Sequence, residues 1–210
     1  MTTSVSQSNA SDFLVPPDST IDGKTYSQWA IEYWKEYIDK QTRFNLDPCK
    51  EPLLAGDCFI VGKRNSVVFL PSLFSPHNSS YNCTFDTTNY FFFPLYSEEC
   101  DYSHLTSDAQ LQQSVNENND YATGSLSIDG HVLTNLSKYR LTTDFFNITY
   151  VNLNPFNAHP GTYKAIINGL FVFIKPLEVG EHVIEYSVTQ NPQSFNNHYS
   201  SSIVFNITIT

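Results

Sequence analysis

Charge is scarce in this chain. Only 15% of its 210 residues are Asp, Glu, Lys or Arg, and the Lys and Arg residues number 11 against 21 acidic ones. No Lys/Arg cluster occurs, and the net charge is −10. Nucleic acid and anionic membrane surfaces are therefore poor partners, since both bind by displacing counterions with positive side chains. Glycine is also sparse, at 8 residues, and no Walker or dinucleotide-type glycine pattern is present. No G-x-S-x-G elbow, H-x-H or H-E-x-x-H arrangement occurs, and none of the four cysteines forms a C-x-x-C pair. No run approaches the roughly 18 apolar residues of a membrane span. The polar start, Met1 to Ser11, lacks the apolar segment of a signal peptide. A secreted protein would thus have lost its signal, with Met1 added for expression; a native start at Met1 would place it in the cytoplasm.

What is abundant points to β-structure. Phe (16) and Tyr (13) dominate an aromatic content of 15%, and polarity comes from Ser, Thr and Asn. These types suit pleated, half-buried surfaces and loops. Residues 1–20 read as a disordered polar tail ending in Pro16-Pro17. Residues 21–210 read as a single β-sandwich domain. One long helix begins at a capping box, Thr25 with Gln28. Tyr26, Trp29, Ala30, Tyr33, Trp34 and Tyr37 follow at helical spacing and form an aromatic stripe that must cover something. A short second helix is predicted over 107–117, capped by Ser107 with Gln110.

Strands are predicted at 58–61, 66–70, 90–95, 124–128, 131–134, 145–151, 169–175, 182–188 and 203–209. Tyr90-Phe-Phe-Phe-Pro-Leu95 is continuously apolar, as for a strand buried on both faces. Asp129-Gly130 is a hairpin signal. Short strands at this spacing indicate a mainly β fold, an antiparallel sandwich of jelly-roll type with the amphipathic helix at its N-terminal side.

The cysteines are Cys49, Cys58, Cys83 and Cys100. An even count in such a composition reads as two disulfides, hence an oxidising, extracellular setting. Three connectivities exist, and short loop closure favours Cys49–Cys58 with Cys83–Cys100. Six N-x-[ST] sequons occur, at Asn9, Asn78, Asn82, Asn135, Asn147 and Asn206. Of these, Asn78, Asn82 and Asn135 are the glycosylation candidates.

Two constellations could carry function. Glu98, Glu99, Asp101 and His104 fall in a predicted exit loop after the 90–95 strand. Glu98, Glu99 and Asp101 could take a calcium ion there; Glu99, Asp101 and His104 could serve as acid and base groups. No other cofactor is implied. Trp29, Tyr33 and Trp34 form the second constellation, which would stack on sugar rings or a partner wherever it escapes the core. His182 lies in an alternating strand and reads as a satisfied core or edge residue.

The chain resembles an uncharacterised group of mostly secreted prokaryotic proteins with a Trp-rich helix and a β domain. The resemblance rests on Gly23-Lys-Thr-Tyr-Ser-Gln-Trp29 with Trp34, Val67-Val-Phe-Leu70, Cys83, Phe92-Phe-Pro94 and Glu99-Cys100. Asp129-Gly130, Asn135-Leu-Ser-Lys-Tyr-Arg140, Lys175-Pro-Leu177 and Gly180-Glu-His182 extend it, over about 22–209. Ser97 stands where members usually have Asn, and Asp86-Thr-Thr-Asn89 replaces a Pro-x-Gly-Lys turn. Ser114 stands where they often carry a Cys, while this chain has Cys49 instead. The resemblance implies the fold and an extracellular setting, and no activity.

The sequence thus favours a non-catalytic extracellular module or surface protein acting by binding, through envelope, adhesion or carbohydrate contact. The alternative is a polysaccharide hydrolase or lyase using Glu99, Asp101 and His104. A pocket gathering those three with a Tyr or Arg would point to the enzyme, and a flat or edge-strand patch to the module.

Overall fold

A computed structural model describes residues 6–44, 58–72, 78–119, 122–152, 154, 156–190 and 199–210. Cys49 lies outside them. The chain begins with β1 (Ser6–Asn9), a single helical turn α1 (Ala10–Phe13), and the small hairpin β2 (Thr20–Ile21) and β3 (Lys24–Thr25). The long helix α2 (Tyr26–Phe44) follows, then β4 (Gly62–Arg64), β5 (Val67–Phe69), β6 (Asn78–Phe85), β7 (Tyr90–Asp101) and α3 (Asp108–Asn119). Next come β8 (Ala122–Ile128), β9 (His131–Thr134), a 3-10 turn (Leu136–Tyr139), β10 (Arg140–Thr142) and β11 (Phe146–Tyr150). Three long strands close the chain: β12 (Gly161–Ile174), β13 (Gly180–Gln190) and β14 (Tyr199–Ile209).

The strands form two main sheets, ordered β1-β9-β8-β13-β14-β6 and β10-β12-β7-β5-β4, with β11 also paired to β12. They face each other: Phe93 of one packs on Tyr186 of the other at 4.4 Å between ring centroids, and Phe91 on Phe85 at 5.1 Å. The mainly β sandwich is as expected, but it is not wholly antiparallel. β1–β9, β5–β7 and β6–β14 pair in parallel. β6 falls outside the strands predicted from the sequence.

The aromatic helix makes a third layer. The continuous apolar strand β7 is buried on both faces because Phe91 and Phe93 point into the sandwich while Phe92 meets α2. Tyr33 packs edge-on against Phe69 and Phe92, and Trp29 against Phe69 and Phe173. The Trp29 indole N–H donates to the Ile21 carbonyl at 2.9 Å, anchoring the β2–β3 hairpin. The capping box forms as read: Thr25 N–H donates to Gln28 Oε1, and Gln28 N–H to Thr25 Oγ1. Ser107 likewise caps α3 by accepting from Gln110 N–H.

The tail expected over 1–20 is corrected for residues 6–20, and residues 1–5 lie outside the described ones. β1 pairs with β9, Leu14 bridges to Ile174, and Val15 N–H donates to the Phe173 carbonyl. The apolar Phe13-Leu14-Val15 supplies the reason, with Leu14 fully buried. The disulfide pairing is corrected too. Cys58 bonds Cys83, and Cys100 is a buried free thiol. Cys58–Cys83 joins the segment entering β4 to β6, whereas Cys83 and Cys100 lie in different sheets. At the β8–β9 turn Asp129 and Gly130 both have positive φ, 52° and 77°, as a two-residue hairpin loop requires. His182 is satisfied there, by Asp129 Oδ2 at 2.7 Å and the Glu178 carbonyl at 2.9 Å. Asn78, Asn82 and Asn135 are all exposed.

Candidate functional site

Strand β7 outruns its neighbour on one side. β5 pairs only with Tyr90–Phe92, so among the described strands nothing flanks the far half of β7 on that edge. On the other side β12 continues to pair through Asp101. This overturns the expected exit loop: Glu98, Glu99 and Asp101 belong to a strand, because Ala165–Gly169 of β12 supplies a partner for each residue from Ser97 to Asp101.

On a strand, side chains alternate between faces. A register shift between Leu170 and Phe171 inserts an extra residue into β7, so Pro94 lies opposite Phe171 and Tyr96 opposite Leu170. This bulge reverses the alternation. Ser97, Glu99 and Asp101 are thereby placed on the α2 face, with Phe92, and Glu98 and Cys100 on the other. Gly169 permits the close passage opposite Ser97, where a Cβ would meet the Tyr96 carbonyl oxygen at 2.6 Å. The alternation also divides the three residues of the candidate calcium loop. Among the described residues no group of three His, Cys, Asp or Glu is placed to hold a metal ion.

A cleft of about 380 Å³ opens at this end of β7, lined by Trp34, Glu98, Glu99, Cys100, Asp101, His104, Leu105, Ser114, Tyr150 and Phe156. Its volume is within the range of small-ligand sites. The structure therefore brings together the acidic group and one member of the aromatic stripe. Trp29, Tyr33 and Trp34 are 1%, 0% and 4% exposed, so the stripe as a whole is core and forms no open platform. Only Trp34 reaches the cleft. Its ring neighbours Phe156 at 6.5 Å, and Phe156 neighbours Tyr150 at 6.1 Å, giving a continuous aromatic wall.

The carboxyl groups of Glu99 and Asp101 share the lining with that wall. The Tyr150 hydroxyl donates a long hydrogen bond, 3.4 Å, to Glu99 Oε2 and also engages Asp101. Glu99 Oε1 is shut off from solvent and has no hydrogen-bond partner among the described residues. Asp101 is buried, and its Oδ1 accepts from Ser103 N–H at 2.6 Å. Burial holds the Glu99 carboxyl well above the usual carboxylate range; the Asp101 and Glu98 charges push the same way, and the Tyr150 hydrogen bond opposes them. Burial, reinforced by Glu99, raises Tyr150 as well. Burial pushes the Cys100 thiol up to about 12, against a 3.4 Å hydrogen bond to Ser114 Oγ. At neutral pH the cleft thus holds a neutral thiol and a neutral phenol, beside a Glu99 carboxyl that keeps its proton to higher pH than an exposed one.

This arrangement has a stability consequence. The proton on Glu99 favours the folded state fully below about pH 4.5, the unperturbed value, and that contribution is lost as the pH rises through the folded value. Glu99→Gln, uncharged and nearly isosteric, is expected to equal the wild type near about pH 4 and exceed it at about pH 8 in denaturant unfolding.

Three contributors escaped the sequence reading. Tyr150 was one inward residue of an ordinary alternating strand. Phe156 is carried by a loop built on Asn154. The buried Asn154 amide donates to the Val151 and Ala158 carbonyls and accepts from Phe156 and Ala158 N–H groups. The Asn154-Pro-Phe-Asn157 cluster is a turn signal, but nothing in it points to a cleft. Ser114 lies on α3, with no local sign that β7 faces it.

Fold and cleft together define a mainly β sandwich protein with a small acidic and aromatic recess at a sheet edge. No family model and no curated protein matches the chain. Among solved structures, a chain described as PbICP-C in complex with falcipain-2 aligns at 11% identity over 63% of this chain and 89% of that one, with a TM-score of 0.24. No helix among the described residues is long and apolar enough to cross a membrane. The Cys58–Cys83 disulfide is compatible with an extracellular setting.

Proposed function

We propose that the protein is an extracellular, non-catalytic β-sandwich module that binds a carbohydrate in the β7 cleft. The observation that carries this reading is the recess of about 380 Å³ that sets Glu99 and Asp101 among the rings of Trp34, Tyr150 and Phe156. Pyranose rings present C–H faces that pack on aromatic rings and hydroxyls that need both donors and acceptors. A protonated Glu99 donates, Asp101 accepts, and the ring wall supplies the apolar contact. The disulfide supports the extracellular part.

A second reading is favoured by the same carboxyl pair. The recess gathers Glu99, Asp101 and His104 with Tyr150, the grouping that would suit a glycoside hydrolase. Glu99 would pass its proton to the leaving oxygen as the glycosidic bond breaks, while Asp101 takes a proton from the attacking water. Affinity electrophoresis against a panel of soluble polysaccharides, combined with a reducing-end assay, separates the two. The module reading expects retardation of the wild type, relief of that retardation in Phe156→Ala, and no new reducing ends. New reducing ends that vanish in Glu99→Gln, with retardation kept, would establish the hydrolase. Absence of retardation and of reducing ends across the panel would end both.

A further inference from the structure

We infer that the saccharide taken by this cleft carries free amino groups: the site selects a cationic sugar over neutral, N-acetylated or acidic ones. This rests on the carbohydrate reading above and narrows it. The lining holds three carboxyl groups, Glu98, Glu99 and Asp101, and no Lys or Arg. Glu99 Oε1 has no hydrogen-bond partner, and no ion pair at the described residues involves Glu99 or Asp101. The remaining titratable groups facing the recess are His104, Cys100 and Tyr150. None of them supplies a permanent positive charge.

A buried carboxyl that lacks a countercharge keeps its proton, and an ammonium group within a few ångströms restores the charged form. The ligand that completes this site is therefore one that brings its own cation. The aromatic wall reinforces the choice, since an ammonium beside Trp or Tyr faces gains a cation–π contribution in a desolvated setting. Acidic saccharides meet the opposite balance. They would approach a chain of net charge −10 and place carboxylates or sulfates against Glu98, Glu99 and Asp101. A neutral or N-acetylated sugar packs on the rings but brings no countercharge to Glu99. Binding of the amino sugar should thus expel the Glu99 proton, so its affinity rises with pH until the ligand amine itself loses its proton.

The test is calorimetry of the whole chain with a glucosamine hexamer, its fully N-acetylated counterpart, a glucose hexamer and a galacturonate hexamer, at about pH 6. The glucosamine hexamer is expected to bind at least about ten-fold more tightly than the N-acetylated one, with the advantage shrinking at about 1 M salt. Repeating the titration in two buffers of different ionisation heat should show proton release in the wild type and none in Glu99→Gln. Asp101→Asn should reduce the preference. Glu185→Gln, an equal change of charge on the exposed face of β13, should leave it intact. Equal affinity for the acetylated hexamer would overturn the inference while the carbohydrate reading stands. Equal weakening by Glu185→Gln would overturn it by showing attraction to the whole protein and not to the cleft. Failure of all four hexamers to bind would remove the carbohydrate reading itself.

Discussion

Trp29→Ala is expected to lower the unfolding free energy by about 3–5 kcal/mol, the cost of emptying a large aromatic site in a core. The site cannot collapse easily. Trp29 is 1% exposed and sits between α2 and the sheet, edge-on to Phe69 and Phe173 at 5.9 Å from each. Phe92 of β7 packs against both rings, 6.1 Å from Phe69 and 4.3 Å from Phe173, so relaxation into the cavity would need a strand to move. The indole N–H adds a second loss, because the Ile21 carbonyl it serves is then left to find water. Trp29→Phe keeps most of the volume and forfeits the hydrogen bond, so it should fall between the two. Equilibrium denaturation of the three proteins checks the order. A loss below about 1 kcal/mol for the alanine variant would mean that α2 is an attached helix and not a layer of the core.

Ser114→Cys is expected to create a disulfide with Cys100 and to stabilise the oxidised protein by about 3 kcal/mol, on the loop-closure estimate for a ring of this length. Cys100 Sγ already lies 3.4 Å from Ser114 Oγ, across the contact between β7 and α3. The two positions therefore face each other with a thiol at one of them. Leu111 and Val115 of α3 pack with Ile166 around the same spot, holding the helix in place before any bond forms. In the wild type Cys100 should react with alkylating reagents only after unfolding, because the thiol is buried and raised to about 12. Mass measurement of the variant with and without reductant, beside its thermal midpoint, reads both claims. A variant that retains a free Cys100 thiol under oxidising conditions would show that α3 is displaced from β7 in solution.

The elements with strong local signals were legible in the sequence. The α2 cap and stripe, the α3 cap, the Asp129-Gly130 hairpin and the twice-buried β7 each rest on residues close together in the chain. What could not be read was set by distant strands. Glu98 to Asp101 look like a polar loop locally, since charged residues are poor strand formers. They extend β7 because β12, some seventy positions away, is long enough to pair with them. The face on which Glu99 lies depends on a bulge against Leu170 and Phe171, which no local pattern announces. The cysteine pairing failed for the same reason. Short loops favoured Cys83–Cys100, but β6 and β7 went to different sheets.

A sandwich comes apart by its two sheets hinging open along a rim, and this one is fastened along both. On one rim Cys58–Cys83 clips the approach to β4 to the outermost strand β6. On the opposite rim residues 6–15 act as a strap: β1 is sewn to β9 of one sheet, and Leu14 and Val15 to Ile174 and Phe173 of the other. Reduction and removal of the N-terminal segment therefore release the same book from opposite sides. The strap shares that rim with the turn Leu136–Tyr139, which carries the chain from β9 to β10, so cutting residues 6–15 away should loosen the rim without opening it.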